Sequence, residues 1–128
     1  MIAVPLLSLF NVMSTPLTPL HTPRFETARP LRADEVHIWC LDINQFTTAH
    51  FADAARVMNP SERERAQKFV RGKESYIASR WLLRKVLARY TEATPEAIEF
   101  SRSDKGKPYL PRRNIHFSLS HSGHWALL

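Results

Sequence analysis

Glycine is scarce in this 128-residue chain, with three residues in all. Walker-type and dinucleotide-type phosphate loops need several glycines in one short run, so both are excluded. Cysteine is scarcer. Cys40 stands alone, which rules out an internal disulfide and a Cys-based zinc site and makes a reducing cytoplasm the default compartment. Long apolar runs are also missing. The stretch from Ile2 to Val12 is interrupted by Pro5 and is far short of the roughly 20 residues a membrane helix needs. It lacks the basic start of a secretory signal as well. Acidic residues are in deficit, 12 Asp plus Glu against 18 Lys plus Arg, for a net charge of +6 and a pI near 10.0. Such a surplus calls for an anionic partner, whether nucleic acid, phosphorylated metabolite, acidic protein or anionic lipid. Charge alone does not choose among them.

What is present is ordinary in amount and uneven in placement. A hydrophobic content of 44% excludes disorder throughout, and the length suits one domain with one modest core. Nine basic residues lie between Asn59 and Tyr90, against only Glu62, Glu64 and Glu74, so this segment carries the whole net charge. Five prolines fall in the first thirty residues. Residues 1–33 therefore read as an extended, weakly ordered, Pro-rich leader, with Met13 an alternative start and a mitochondrial presequence a lesser alternative.

The rest reads as α+β. Val36 to Leu41 is rich in β-branched and aromatic residues and predicts a buried strand. A short helix is expected around Ala49 to Val57. Asn59-Pro60-Ser61-Glu62 is a strong helix start: Asn59 caps the free amides, Pro60 suits the first helical position and Glu62 completes a capping box. That helix is expected to run to about Val70, with Gly72 as the break. A second runs from about Glu74 to Tyr90, its apolar stripe including Tyr76, Leu83, Val86, Leu87 and Tyr90. Arg80 and Arg84, four apart, read most simply as its solvated face. A helical turn at Thr94-Pro95, a strand over Ile98 to Ser101 and a turn over Asp104 to Pro108 follow. Ile115 to Ser120 alternates as a half-buried strand should, and Trp125 to Leu128 opens another.

Motifs for chemistry are few. The six histidines show no metal-ligand spacing, and no nucleophile elbow is present. Ser118 to Gly123 holds three hydroxyls, an imidazole and a glycine. Turn chemistry explains such a segment without function, and an anion contact through Ser120 and His121 is the sharper alternative. Lys107, before Pro108, is either a solvated turn lysine or an ammonium presented to an anion. The three tryptophans suit a core better than a base-stacking surface.

Taken in order, Asn59-Pro60-Ser61-Glu62-Arg63, Ser79-Arg80-Trp81-Leu82-Leu83-Arg84, Gly106-Lys107-Pro108-Tyr109 and Ile115 to Gly123 resemble the amino-terminal half of the surfactin-type 4'-phosphopantetheinyl transferases. The resemblance covers roughly residues 36 to 128. The Gly-Lys-Pro and Phe-x-Leu-Ser-His-Ser motifs are its specific part. It implies a fold of two similar α+β lobes with coenzyme A between them. Residues 34–128 would be the amino-terminal lobe, strands packed on a long helix and cut off within a strand. The implied reaction moves the phosphopantetheine arm from coenzyme A to a serine of an acyl or peptidyl carrier protein. Carried over by position, Lys107, Ser120 and His121 would bind the phosphate-bearing end of coenzyme A. Arg63, Arg65, Arg71 and Lys73 lie where the family holds the 3'-phosphate.

This sequence departs from the pattern at Ser118, where the family usually has Asn, and in a shorter spacing between Phe69 and Ser79. It ends before the family's Gly-x-Asp-x-Glu and Trp-x-x-Lys-Glu motifs, which supply the magnesium-binding carboxylates and the catalytic base. The expectation is a coenzyme A-binding half, with no catalytic residues or metal ligands of its own, whose partners are a carrier protein and a carboxy-terminal lobe. The competing class is a non-catalytic basic module that binds nucleic acid or a partner protein. The acids interleaved in the first helix and the lack of a known nucleic-acid motif place it second.

Overall fold

In the computed structural model, which describes residues 7–12, 18–20 and 31–128, with side chains from residue 31 onward, the chain begins with β1 (Leu7–Val12), β2 (Thr18–Leu20) and β3 (Val36–Asp42). Three helices follow, α1 (Thr48–Val57), α2 (Pro60–Gln67) and α3 (Lys73–Thr91). The chain then makes β4 (Ser101–Arg102), β5 (Pro108–Tyr109), β6 (Ser120–Ser122) and β7 (Trp125–Leu127). A five-stranded sheet has the order β2-β1-β3-β7-β6, and β4 with β5 forms a separate hairpin. Every pairing among the described residues is antiparallel. This is an α+β fold, as expected.

The sheet forms around β3. Its alternation sends Trp39 and Leu41 into the core, where they are 1% and 0% exposed. α3 covers the same face with Ala78, Trp81, Leu82 and Val86, and α1 adds Ala54 and Val57. A second cluster lies further along α3, where Leu83 and Leu87 meet Ile98 and Leu110. The long helix therefore has apolar contacts on two sides.

Several boundaries differ from the sequence reading, each for a local reason. α2 stops at Gln67 because the Lys68 amide turns back to the Arg65 and Ala66 carbonyls, and Gly72 enters α3 with φ +73°, which glycine adopts at little cost. The strand expected over Ile98 to Ser101 is confined to Ser101 and Arg102. Ile115, Phe117 and Leu119 do alternate inward with exposed His116 and Ser118, but ladder pairing begins only at Ser120. The alternation reported burial correctly, and burial does not require a neighbouring strand.

β1 and β2 fall within the segment expected to be an extended leader. β1 pairs with β3 from Leu7↔Leu41 to Val12↔Val36, so this part of the segment belongs to the sheet. Its other positions before residue 31, including Met13, lie outside the described residues. Among the described residues, no helix is long and apolar enough to cross a membrane.

Leu82 is 0% exposed within the main cluster. Leu82→Ala is expected to lower unfolding free energy by about 2–5 kcal/mol, the range for emptied core leucine sites. Urea denaturation followed by tryptophan fluorescence measures this directly.

Candidate functional site

Three sequence devices bring cationic side chains to one side of the molecule. The first is the start of α2. The Asn59 side chain accepts from the Glu62 amide at 2.8 Å, and Glu62 Oε2 accepts from the Asn59 amide at 3.0 Å, closing the expected capping box. This fixes the helix and places Arg65 on the cleft side. The second is α3, which carries Tyr76 and Arg80 one turn apart. The third is the β4–β5 hairpin. Gly106 takes φ +78°, its amide donates to the Ser103 carbonyl at 2.8 Å, and the Lys107 amide donates to Ser103 Oγ at 3.1 Å. Arg102 lies opposite Pro108, so Arg102 and Lys107 reach the same cleft.

The cleft has two adjoining parts, of about 360 and 560 Å³, that share Arg65, Tyr76, Arg80 and Arg102. Lys107, Pro108, Phe117 and Ser118 line the smaller part. Lys68, Phe69 and Glu62 line the larger, and the Phe69 and Tyr76 rings stack there at 4.9 Å. Five cations around one concavity raise the local concentration of anions and offer them charge-assisted hydrogen bonds.

Glu62 anchors this arrangement. Its carboxylate is nearly buried and takes Arg80 Nε and Nη2 on Oε1, at 2.8 and 2.5 Å, and Arg84 Nε on Oε2 at 2.7 Å. Burial pushes the carboxyl upward, but the hydrogen bonds from Arg84 and Arg80 outweigh it and hold Glu62 below its ordinary value. Burial also pushes the Tyr76 hydroxyl upward, and the nearby arginine charges only partly offset this. The solvated-face reading of Arg80 and Arg84 is therefore corrected. Arg84 is 0% exposed and donates from Nη1 to the Pro95 and Ile98 carbonyls at 2.8 and 3.1 Å. Arg80 is largely buried against the cleft, with its guanidinium 5.2 Å from the Phe100 ring centre.

The seven binding residues expected from sequence are distributed unevenly. Arg65 and Lys107 line the cleft together. Ser120 and His121 sit exposed on β6, opposite Leu127 and Ala126, just beyond the cleft-lining Ser118 and Leu119. Arg63 turns to the α1–α2 junction, where Nη1 donates to the Ala55 carbonyl at 3.2 Å and to the Met58 carbonyl. Lys73 donates to Gln67 Oε1 at 3.1 Å, and Arg71 is exposed in the loop between α2 and α3. Sequence reasoning missed Arg102 and Tyr76 and misread Arg80. The signal for Arg102 was its position two residues before the Asp104 turn, where hairpin pairing sets it beside Lys107.

Among the described residues, no group of three or more His, Cys, Asp or Glu is placed to hold a metal ion.

Residues 45–128 match the family described as 4'-phosphopantetheinyl transferase, N-terminal, and the chain belongs to that family. It is 32% identical over 103 residues to the 4'-phosphopantetheinyl transferase HetI of Nostoc sp. PCC 7120, covering 76% of this chain and 43% of that protein. It is 36% identical over 83 residues to the mouse L-aminoadipate-semialdehyde dehydrogenase-phosphopantetheinyl transferase, covering 59% and 27%. Against the Bacillus subtilis 4'-phosphopantetheinyl transferase Sfp, identity is 30% over 73 residues, covering 55% and 33%. The matched region spans less than half the length of each of these relatives.

Two ion-paired acids, Glu62 at the cleft and Asp53 on another face, set a pH dependence. Burial opposes ionisation of Asp53, yet hydrogen bonds from Trp81, Arg56 and Lys85 lower its pKa from 3.8 to about 2. Glu62 is lowered as well, so the unfolded chain binds more protons than the folded one in acid, and stability rises with pH. Both contributions are complete above the unfolded carboxylate range of about 3.9–4.3 and are lost as pH falls through the lowered folded values. Urea midpoints are expected to be level above about pH 5 and to fall steeply below about pH 4. Asp53→Asn should flatten part of that fall, and an unchanged profile would contradict the assignment.

Proposed function

We propose that this chain supplies the coenzyme A-binding part of an enzyme that moves the 4'-phosphopantetheine arm to a carrier-protein serine. The observation that carries the reading is the convergence of Arg65, Arg80, Arg102 and Lys107 on one cleft. Coenzyme A bears several phosphate charges along an extended molecule, and a cleft with cations at successive points can hold it in one direction. Arginine forks recognise phosphate through paired hydrogen bonds, and the lysine adds a compact point charge. Family membership supports the chemistry, since the named relatives are phosphopantetheinyl transferases.

In this reading Lys107 meets the pyrophosphate region, presented by the turn that Gly106 permits. Ser120 and His121, on the neighbouring edge strand, extend the polar wall and reach the ligand at its margin. Arg71 and Lys73 add field from the loop between α2 and α3. Arg63 acts indirectly, by bracing α2. The acyl or peptidyl carrier protein and a carboxy-terminal lobe complete the assembly, and the lone Cys40 suits the cytoplasm. Carboxylates for magnesium and a base for the carrier serine would come from outside these 128 residues.

Calorimetry with coenzyme A and its 3'-dephosphorylated analogue tests the reading. Coenzyme A should bind more tightly than the analogue, and Lys107→Ala should weaken it by about tenfold, the scale of one lost charge-assisted hydrogen bond. Equal binding of both ligands, or none by folded protein, would sink the proposal. With magnesium and apo carrier protein, this chain alone should transfer a labelled arm at no more than the background rate. Robust turnover would show that its own residues supply the missing groups.

A further inference from the structure

Resting on that reading, we propose that Glu62 is a positioning residue for phosphate recognition: it holds Arg80 in a phosphate-ready orientation at the boundary between the two parts of the cleft. Glu62 touches no ligand in this role and acts through Arg80.

The carboxylate is fully engaged. Oε2 is fixed by the Asn59 amide and by Arg84 Nε, and Arg84 is tied to the Pro95 and Ile98 carbonyls. With Oε2 immobile, Oε1 becomes a fixed acceptor for Arg80. Two donors of Arg80, Nε and Nη2, converge on that oxygen, and the guanidinium plane lies over Phe100. Three constraints therefore set the position and tilt of the fork. Among the described residues no hydrogen bond uses Arg80 Nη1, which leaves that end of the fork for the cleft that Arg80 lines. A free arginine loses considerable rotamer freedom when it binds phosphate, whereas here that ordering precedes the ligand.

The charge count makes the proposal discriminating. Glu62 is an anion beside an anion-binding cleft, so by charge alone it weakens phosphate binding and its removal should strengthen it. If orientation of Arg80 matters more, removal must weaken binding. The two accounts predict opposite signs.

The test compares the full chain with Glu62→Gln, Arg80→Lys, Arg80→Met and the Glu62→Gln/Arg80→Met double variant. Coenzyme A affinity is read by calorimetry at fixed salt, and folding by circular dichroism. Glu62→Gln and Arg80→Lys should each weaken binding roughly five- to tenfold, the scale of one side chain that must now be ordered by the ligand. Adding Glu62→Gln to Arg80→Met should cost nothing further, because the residue it positions is gone. Equal or tighter binding by Glu62→Gln or Arg80→Lys, or additive losses in the double variant, would overturn the proposal. If Glu62→Gln does not fold, water exchange of the Arg80 Nε–H in the parent chain decides, since it reports the bond to Glu62 without any substitution.

A second readout is independent of coenzyme A. The Arg80 Nε–H resonance should exchange slowly with water in the parent chain and rapidly in Glu62→Gln. If the parent chain binds no coenzyme A, the functional reading fails, and this resonance still judges the positioning role. Rapid exchange in the parent chain would refute it.

Discussion

The Glu62 carboxylate, shared between Arg80 and Arg84, is the interaction on which the rest of the arrangement depends. It starts α2 by closing the capping box with Asn59, and it joins α2 to α3 through both arginines. Through Arg84 it also reaches the carbonyls of Pro95 and Ile98, from which the chain continues to the β4–β5 hairpin. Two of the segments that place cations around the cleft thus meet at one acid, and the chain leading into the third is tied to it through Arg84. A buried ion cluster of this kind adds little net stability over an apolar equivalent, yet losing one partner strands the others at a cost of several kcal/mol. Its value here lies in geometry.

The cluster also explains how a basic surface coexists with a small core. Arg84 is the most deeply buried cation in the network, and it bonds the carbonyl of Ile98, a member of the second apolar cluster. One positive charge of the cluster remains uncancelled and is expressed at the cleft through Arg80. Asp53 plays a corresponding structural part on another face, where it accepts from Trp81 Nε1 at 2.8 Å and pairs with Arg56 and Lys85. Cations of the basic segment are therefore divided between those that brace the fold and those that line the cleft, a division that net charge alone cannot reveal.

Much of the fold was legible because its signals are local. The Asn59-Pro60-Ser61-Glu62 start, the Gly72 break, the stripe of α3 and the Gly106 turn each depend on residues within a few positions. The outer limits of β4 and β6 were not legible, since a strand is defined by its neighbour and no neighbour is written in the segment itself. The pairing of β1 with β3 was hidden for the same reason, beneath a proline-rich composition. In the cleft, Arg65 and Lys107 stood inside recognisable motifs. Arg102 and Tyr76 did not, and were brought there by hairpin register and helix phase.

The sequence by itself determined the order of β3 and the three helices, the location of the charge and the family to which the chain belongs, because these follow from local pattern and motif order. Only the tertiary structure decided which basic residues serve the cleft. Arg80 and Arg84 have the same spacing, chemistry and helix. One faces the cleft and the other is sealed in the interior, because Glu62 and the Pro95 and Ile98 carbonyls approach them from different parts of the chain. Helical periodicity records which residues share a face, but what packs against that face depends on contacts far away in sequence.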